Sequence, residues 1–547
     1  MPNSSAQGSG FLNAVREGSR SGRLTVCNPG LEGEAEWGEL VAGAEGRISS
    51  LRAQGIGPGD RVALEGEPSL QLVETLLSIW FAGCSVIVLP ARSRRATGEA
   101  SGRRAVAWLR DAGVSVLIRC CGASVSGAGD VEHIVSTAEP STRLPRRSDD
   151  SASSDLVLLQ PTSGTTGQSR IVPIYGDALV SHVRAIAARA SLSSGDRWVS
   201  WLPLFHDMGM IGFLVLPLLV GGSLWLSSPG QFARDPRSWL RTISVSRATV
   251  TGAPNFAYGL AAKLFHNESS FDLRSLQVAF NGAEHIVGGD VRAFLEVGER
   301  WGFDAAAMYC VYGMAEATLA VTFPDRGVPP QFDVVDRRSM ETNQRAVPIV
   351  RGSSALEYAL VGRPLPGLRL RIVDAVSRKQ VGLRRVGEIE ITGEGVMAAY
   401  LGEAPPAIDR AWFRTGDLGY LTGGGDLAVC GRTKDVIILA GRNISPMEIE
   451  AAVGEVAGVR AGNVAAFGIS GGHREELVVL AEVAENNGRS LLSLRRAVGA
   501  AVREAVGNAP SQIVLLEPRT IPKTTSGKLQ RNNCRARYCA GTLRPLS

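Results

Sequence analysis

Short apolar runs alternate with stretches of helical period along most of this 547-residue chain. Residues 156–159 and 171–174 are apolar runs of strand length, and residues 388–392 are strand-like as well. From Asp177, placed as an N-cap, the pattern turns helical through Leu192, and residues 198–204 then read as a strand. Residues 239–245 are helix-like and residues 248–251 strand-like. The most apolar run, residues 211–226, is short for a membrane span and is broken by Pro217, Gly221 and Gly222, which predicts a buried helix, turn and strand. Alternation of this kind predicts a layered α/β domain.

After Gly431 the pattern restarts. A helix over 446–456, strands over 464–467 and 476–483, and a helix over 491–505 predict a small α+β domain. The expected division is therefore a large domain over 1–431, a boundary at 432–434 and a small domain over 435–547. A chain of this length exceeds what one hydrophobic core serves. Residues 147–154 form the clearest polar linker, and no internal repeat is visible.

Composition narrows the class. With 44% apolar and 20% charged residues the chain reads as an ordinary globular protein, and a net charge of +5 implies neither bulk nucleic-acid binding nor membrane adsorption. Arginine clusters at 92–104 and 143–147 read as solvated faces. The eight cysteines show no Cys-x-x-Cys spacing, and the first ten residues are polar with no apolar signal core, so a reducing cytoplasm is the expected setting.

Candidate chemistry begins at Thr162, Ser163, Gly164, Thr165, Thr166 and Gly167, which follow Pro161 between the first two apolar runs. Glycines let backbone N–H groups turn toward an anion, and hydroxyls add uncharged donors, so this is the composition of a phosphate cradle as well as of a polar surface turn. Arg170 supplies a cation just beyond. Neither a Walker loop nor a Gly-x-Gly-x-x-Gly fingerprint occurs. Downstream, Thr415-Gly416-Asp417 holds one carboxylate in a tight turn, suited to two vicinal hydroxyls such as those of a ribose. Near the C-terminus, Lys523 and Lys528 flank Thr524-Thr525-Ser526-Gly527. Only five lysines (Lys263, Lys379, Lys434, Lys523, Lys528) stand among 58 basic residues, so a retained lysine marks a place where a compact, flexible ammonium is needed. A basic tail for solubility or nucleic-acid binding, with Arg531, Arg535 and Arg537, is the alternative reading.

Six ordered segments together resemble the adenylate-forming enzymes, which include acyl-CoA synthetases, adenylation domains and fatty acyl-AMP ligases. They are the loop ending at Gly167, Asn281-Gly282-Ala283-Glu284, Tyr312-Gly313-Met314-Ala315-Glu316, Thr415-Gly416-Asp417, Gly431-Arg432-Thr433-Lys434-Asp435, and the run from Pro522 to Lys528. Two features look like the fatty acyl-AMP ligase branch. One is the segment 201–212 around His206, with the Ala315-Glu316-Ala317-Thr318 ending. The other is the long stretch 322–362, which resembles an insertion of ligases that hand the acyl group to a carrier protein. Two departures stand out: Ser169-Arg170-Ile171 replaces the usual Pro-Lys-Gly, and Ile444-Ser445-Pro446 is more like CoA synthetases.

The resemblance implies a large α/β domain with sheets and a distorted β-barrel, plus a small domain that rotates between two poses. It implies ATP and Mg2+ as cofactors, with a fatty or related carboxylic acid and an acyl carrier protein with its phosphopantetheine arm as partners; neither nucleic acid nor a membrane span is expected. By matching motifs, residues 162–167 and Arg170 are expected at the phosphates, and Glu316 at the metal. Gly282, Ala283, Glu284, Tyr312, Gly313, Met314 and Ala315 are expected around the adenine, and Asp417 with Arg432 at the ribose. Lys434 is the expected hinge, and Lys528 with His206 the expected catalytic pair beside the acyl carboxylate. A non-catalytic nucleotide-binding protein on the same scaffold is the competing class.

Overall fold

The computed structural model describes residues 10–91, 108–114, 116–120, 131–133, 155–162, 170–352, 355–404, 412–439, 442–471, 474–485, 488–523 and 529–546. The polar linker, both arginine clusters, residues 163–167 and Lys528 lie outside these.

Two sheets form the centre of the larger part. The first has seven strands, with Arg197–Ser200 between Val250–Ala253 and Ser223–Leu226. Its ladders are parallel except at the Gly33–Glu36 edge, which runs antiparallel to Arg23–Val26. The second has six strands, with Arg61–Gly66 and Ser85–Leu89 paired in parallel at its middle. Strands covered on both faces carry unbroken apolar runs; Ser85–Leu89 and Val250–Ala253 are accordingly buried at every position. One continuous core then runs from Phe11 to Leu427.

The apolar run at 211–226 divides as expected into helix, turn and strand. Its helical part is a π-helix, Met208–Val215, continuing into the helix Leu216–Val220, before a glycine turn and the strand Ser223–Leu226. At the turn a Cβ on Gly222 would lie 1.9 Å from the Trp198 ring, so glycine lets the fully buried indole pack against the backbone.

Past Arg432 the chain builds separate apolar clusters. Strands Val459–Gly471, Arg474–Val483 and Gln512–Leu516 form a three-stranded sheet. Helices Pro446–Gly454 and Leu491–Val506 pack on one face of it. Leu494, Val498, Val502 and Val506 lie four residues apart on the core side of the second helix, which is capped by the Ser490 side chain and ended by left-handed Gly507. Between the two parts stands an open antiparallel sheet of Leu368–Val373, Gly387–Gly393, Phe413–Leu421 and Leu427–Arg432. Among the described residues no strand pairing closes a barrel, so the distorted barrel implied by resemblance appears as open sheets.

Several boundaries differ from the sequence reading. The helix expected to start at Asp177 spans Gly176–Ala190 with Tyr175 as its extended N-cap; Asp177 lies in the first turn and its N–H is taken by Asp155 Oδ2 at 2.8 Å. The strand expected to reach Leu204 ends at Ser200, where the Ser200 hydroxyl accepts from Leu202 N and redirects the chain. Leu202 and Leu204 are buried as loop residues. No helix among the described residues is long and apolar enough to cross a membrane.

Candidate functional site

A cavity of about 2500 Å³ opens between the central sheets and the C-terminal segment. One wall is the hairpin of Leu156–Thr162 and Arg170–Tyr175, in which Thr162 pairs with Arg170, so residues 163–169 connect the two strand ends. Thr162 Oγ1 donates to Arg170 O at 3.2 Å. The half-exposed Arg170 guanidinium lies 4.7 Å from the centre of the Tyr400 ring and 3.6 Å from Glu403.

Opposite, the Tyr312–Gly313 strand leads into a single 3-10 turn, Ala315–Ala317. The Glu316 carboxyl is pushed up by burial, opposed by the Tyr400 hydroxyl, which donates to Oε1 at 2.8 Å. Next to it Thr318 is held at φ 66° and ψ −55°, a conformation costing a branched residue on the order of 1–3 kcal/mol. Its buried Oγ1 donates to Gly395 O at 2.8 Å, fixing the turn that aims Glu316.

Asp417 is 6% exposed and sits on Phe413–Leu421 directly across from Arg432. Its Oδ2 accepts from the Tyr312 hydroxyl at 2.6 Å and its Oδ1 from Arg432 Nε at 3.0 Å. Thr415 pins the turn: its hydroxyl donates to Ile389 O at 2.8 Å and accepts from Asp417 N at 3.0 Å, while Gly416 takes φ 74°. Burial first, and then the Asp417 charge, keep the Tyr312 phenol protonated well above its ordinary range. The same carboxylate holds the Arg432 guanidinium in its charged form. This is a rigid carboxylate at the cavity wall, with a ring and a cation beside it.

The segment 282–284 follows the strand Val278–Asn281. Gly282 backs onto Val311, where a Cβ would lie 2.7 Å from Cγ2, and Ala283 takes φ 66°. Glu284 Oε1 accepts from Phe256 N at 2.7 Å, at the start of the helix Asn255–Phe265. His206 precedes the π-helix, its carbonyl accepting from Met210 N at 2.8 Å, with the ring 4.8 Å from Phe205. Gln160 Nε2 donates to Phe205 O at 2.8 Å, tying this segment to the hairpin of Leu156–Thr162 and Arg170–Tyr175. Met314 and Ala315 also line the cavity, as do Ala283, Glu284, Gly313 and Lys434.

Lys528 is outside the described residues, but its flanks are placed. Lys523 and Leu529 form an antiparallel bridge, and both line the cavity. The Lys523 ammonium is pushed down by burial, with Glu482 acting against that. Exposed Lys434 follows Arg432 in a turn whose Thr433 N donates to Gly416 O at 2.9 Å. Asp435, in the same turn, meets Arg531 at 2.8 Å, and Arg531 reaches Glu450 at 2.7 Å.

Two features escaped sequence reasoning. Tyr400 bridges Glu316 and Arg170, yet its neighbours Ala398, Ala399 and Leu401 carry no motif signal. The stretch 322–362 contains the helix Arg337–Asn343 and the strand pair Phe332–Asp336 with Ala355–Ala359. Arg337 binds Glu448, and Arg442 meets Glu341 at 3.0 Å, so this helix docks on the segment that follows Asp435.

A family model described as AMP-binding enzyme matches residues 29–401. The chain is 36% identical over 517 residues to "Putative ligase Rv1013" of Mycobacterium tuberculosis, covering 91% of this chain and 93% of that protein. It is 33% identical over 411 residues to the medium-chain-fatty-acid–[acyl-carrier-protein] ligase JamA of Moorena producens, covering 72% of this chain and 69% of that one. A solved structure from a study of fatty acyl-adenylate ligases of E. coli and L. pneumophila matches with a TM-score of 0.85 and 28% identity, covering 97% of this chain and 98% of that one. Segments far apart in sequence thus converge on one cavity within a fold shared along nearly the whole chain, and the chain belongs to the AMP-binding enzyme family.

Proposed function

We propose that the chain is an ATP-dependent fatty acyl-AMP ligase. A fatty or related carboxylate attacks the α-phosphorus of ATP, the bond to the β-phosphate oxygen breaks, and pyrophosphate leaves. The acyl-adenylate then passes its acyl group to the phosphopantetheine thiol of an acyl carrier protein, in lipid, polyketide or nonribosomal peptide biosynthesis. The observation that carries this reading is the Asp417 carboxylate clasped by Tyr312 and Arg432 at the wall of a cavity that also receives Glu316, Arg170 and His206.

In this reading Asp417 accepts from the ribose hydroxyls while Arg432 keeps it oriented, and Tyr312 packs beside the adenine, with residues 282–284 and 313–315 completing the base pocket. Residues 162–167 and Arg170 hold the phosphates. Negative charge accumulates on the α-phosphate and leaving group, and donors fixed in advance stabilise it most effectively. Lys528 brings a mobile ammonium to the carboxylate and α-phosphate oxygens. His206 lies beside the reacting carbonyl.

Glu316 suits magnesium delivered with ATP. Among the described residues no group of three or more His, Cys, Asp or Glu is placed to hold a metal by itself. A single part-buried carboxylate at the cavity wall is what Mg2+ uses when substrate oxygens and water fill its other positions. When bound, the ion would neutralise phosphate charge. Tyr400 orients the Glu316 carboxylate toward that position.

Division into a 1–431 domain and a 435–547 domain pivoting at 432–434 fits the separate apolar clusters on either side. Docking of Arg337–Asn343 on Glu448 and Arg442 supports the carrier protein as acceptor, because it restrains the pose in which free CoA would be used. The Ile444-Ser445-Pro446 segment favours the second reading, an acyl-CoA synthetase. Enzyme, ATP, Mg2+ and a fatty-acid panel are incubated with either CoA or holo acyl carrier protein. Acyl carrier protein loading is expected, and abundant acyl-CoA with no loaded carrier would overturn the assignment.

A further inference from the structure

The helix Gly176–Ala190 carries a polar ring on its buried side, where Leu179, Val183 and Ile186 also lie: His182 is 4% exposed. A buried polar group is costly unless it is hydrogen-bonded. The bond it makes is to backbone. Ala320 N donates to His182 Nε2 at 3.0 Å, joining residues 138 positions apart. A backbone N–H only donates, so Nε2 is the accepting nitrogen of a neutral ring. Burial pushes the imidazolium down to about 4, which keeps the ring in that form at neutral pH.

Ala320 closes the turn that carries Glu316. Met314 N donates to Leu319 O at 2.7 Å and Leu319 N to Ala317 O at 2.8 Å, while Thr318 holds φ 66° and ψ −55°. A branched residue stays in such a conformation only where its surroundings over-determine it. A second segment supplies part of that constraint. Gly395 O accepts from Thr318 Oγ1 at 2.8 Å, Met397 N donates to Glu316 O at 2.9 Å, and the Tyr400 hydroxyl reaches Glu316 Oε1 at 2.8 Å. His182 meets both segments. Its Nε2 takes the Ala320 N–H, and a Cβ on Gly395 would lie 2.8 Å from its Nδ1, so the other edge of the ring lies against that glycine.

We propose that His182 is a positioning residue for adenylation: its accepting nitrogen, seated between the 314–320 turn and the 393–400 segment, sets the geometry in which Glu316 and Tyr400 meet, and with it the readiness of the Glu316 carboxylate for the Mg2+ that accompanies ATP. His182 does not line the cavity and acts through the turn. The proposal rests on the acyl-adenylate reading above and extends it to a residue outside the site. The place requires an acceptor. A side chain of similar bulk without one leaves the Ala320 N–H buried and unpaired, so the turn gains by rearranging toward another acceptor.

The test compares wild type with His182→Gln, whose side-chain oxygen can take the Ala320 N–H, and with His182→Leu, which offers no acceptor. Binding of ATP in the absence of acid is followed by calorimetry, in Mg2+ and in EDTA, and acid-dependent ATP–pyrophosphate exchange is followed against Mg2+ concentration. His182→Leu should weaken ATP binding about tenfold in Mg2+ but less than about twofold in EDTA, and should raise the Mg2+ needed for half-maximal exchange about tenfold, the lower end of the usual loss when a group supporting a metal-binding side chain is removed. His182→Gln should stay within about threefold of wild type on both readings, because the bond is kept. Thermal melting checks folding; should His182→Leu fail to fold, Gly395→Ala, which sets a methyl group against Nδ1, takes its place with the same expected signature. Equal weakening in Mg2+ and in EDTA, no weakening in a folded variant, or a folded His182→Gln as impaired as His182→Leu overturns the positioning role alone. A wild type inactive on every acid defeats the acyl-adenylate reading and the positioning role with it.

Discussion

Replacing Asp417 by Asn tests the ribose assignment with the least change of shape. The carboxylate is buried and already accepts from Tyr312 at 2.6 Å and Arg432 at 3.0 Å. An amide keeps one acceptor for Tyr312 but turns a donor toward Arg432, so the cation loses its partner and the ribose hydroxyls lose a charged acceptor. A hydrogen bond to a charged group contributes about 1.5–3 kcal/mol, so the variant should lose about 2–3 kcal/mol, or roughly 30- to 150-fold in kcat/KM for ATP. Pyrophosphate exchange is measured with ATP and with its 2′-deoxy and 3′-deoxy analogues. Wild type should discriminate against at least one analogue by a factor of the same order, while Asp417→Asn should discriminate less than about threefold, because the partner of that hydroxyl is already gone. Equal discrimination in both proteins would refute the assignment, whatever the size of the activity loss.

Three further outcomes are expected. Lys528→Ala should reduce adenylation by roughly 100-fold or more, while thioester formation from preformed acyl-adenylate changes far less; equal loss of both steps would transfer the role to Lys523 or make Lys528 structural. His182 is pushed down to about 4 by burial, so the unfolded chain takes up this proton first: the contribution is complete above about pH 6.5 and falls by about 3 kcal/mol as the pH drops toward 4. In urea melts across that window His182→Gln should make the acid slope shallower; His285, also pushed down to about 4 by burial and then by Arg531, acts in the same direction, and Glu448, pushed up to about 7 by burial, acts against it. Removing residues 338–352 should leave adenylation in place and raise the ratio of acyl-CoA to acyl-adenylate, read by chromatography in a variant that still melts cooperatively.

Legibility in the sequence followed the range of the interactions. Periodicity located the helix Leu491–Val506 to within one residue, because its apolar positions, Ser490 cap and Gly507 stop are all local. It overran the strand at Trp198, because Trp201, Leu202 and Leu204 are buried by tertiary packing while Pro203 and the Ser200 hydroxyl turn the chain. Motif matching named Tyr312, Asp417 and Arg432 separately. The hydrogen bond joining residues 105 positions apart is a property of the folded sheets alone. Tyr400 could not be found at all, since its partners Glu316 and Arg170 come from two other segments. The docking of Arg337 on Glu448 was equally hidden: an arginine in a polar stretch reads as a solvated charge.

That docking explains why the 322–362 stretch should act as a guide for the small part and not as a clamp. The C-terminal segment is held at the Arg432–Asp435 turn and at the ionic patch of Arg337, Glu341, Arg442 and Glu448. Asp417 and Arg432 pair across the strands just before the turn, so the proposed pivot there would keep the proposed ribose site intact while the Lys523–Leu529 bridge travels. The proposed rotation would, in contrast, open the patch. Opening it returns both carboxylates and both guanidinium groups to water, and recovered hydration largely offsets the lost attraction, as is common for buried ion pairs. Deleting one partner has no such compensation: Arg337→Ala would leave Glu448 beside an empty contact and Glu341, 3% exposed, with only Arg442. The patch can thus favour one docked orientation while still being able to open, and a single-residue lesion within it should disturb folding more than loss of the whole helix disturbs adenylation.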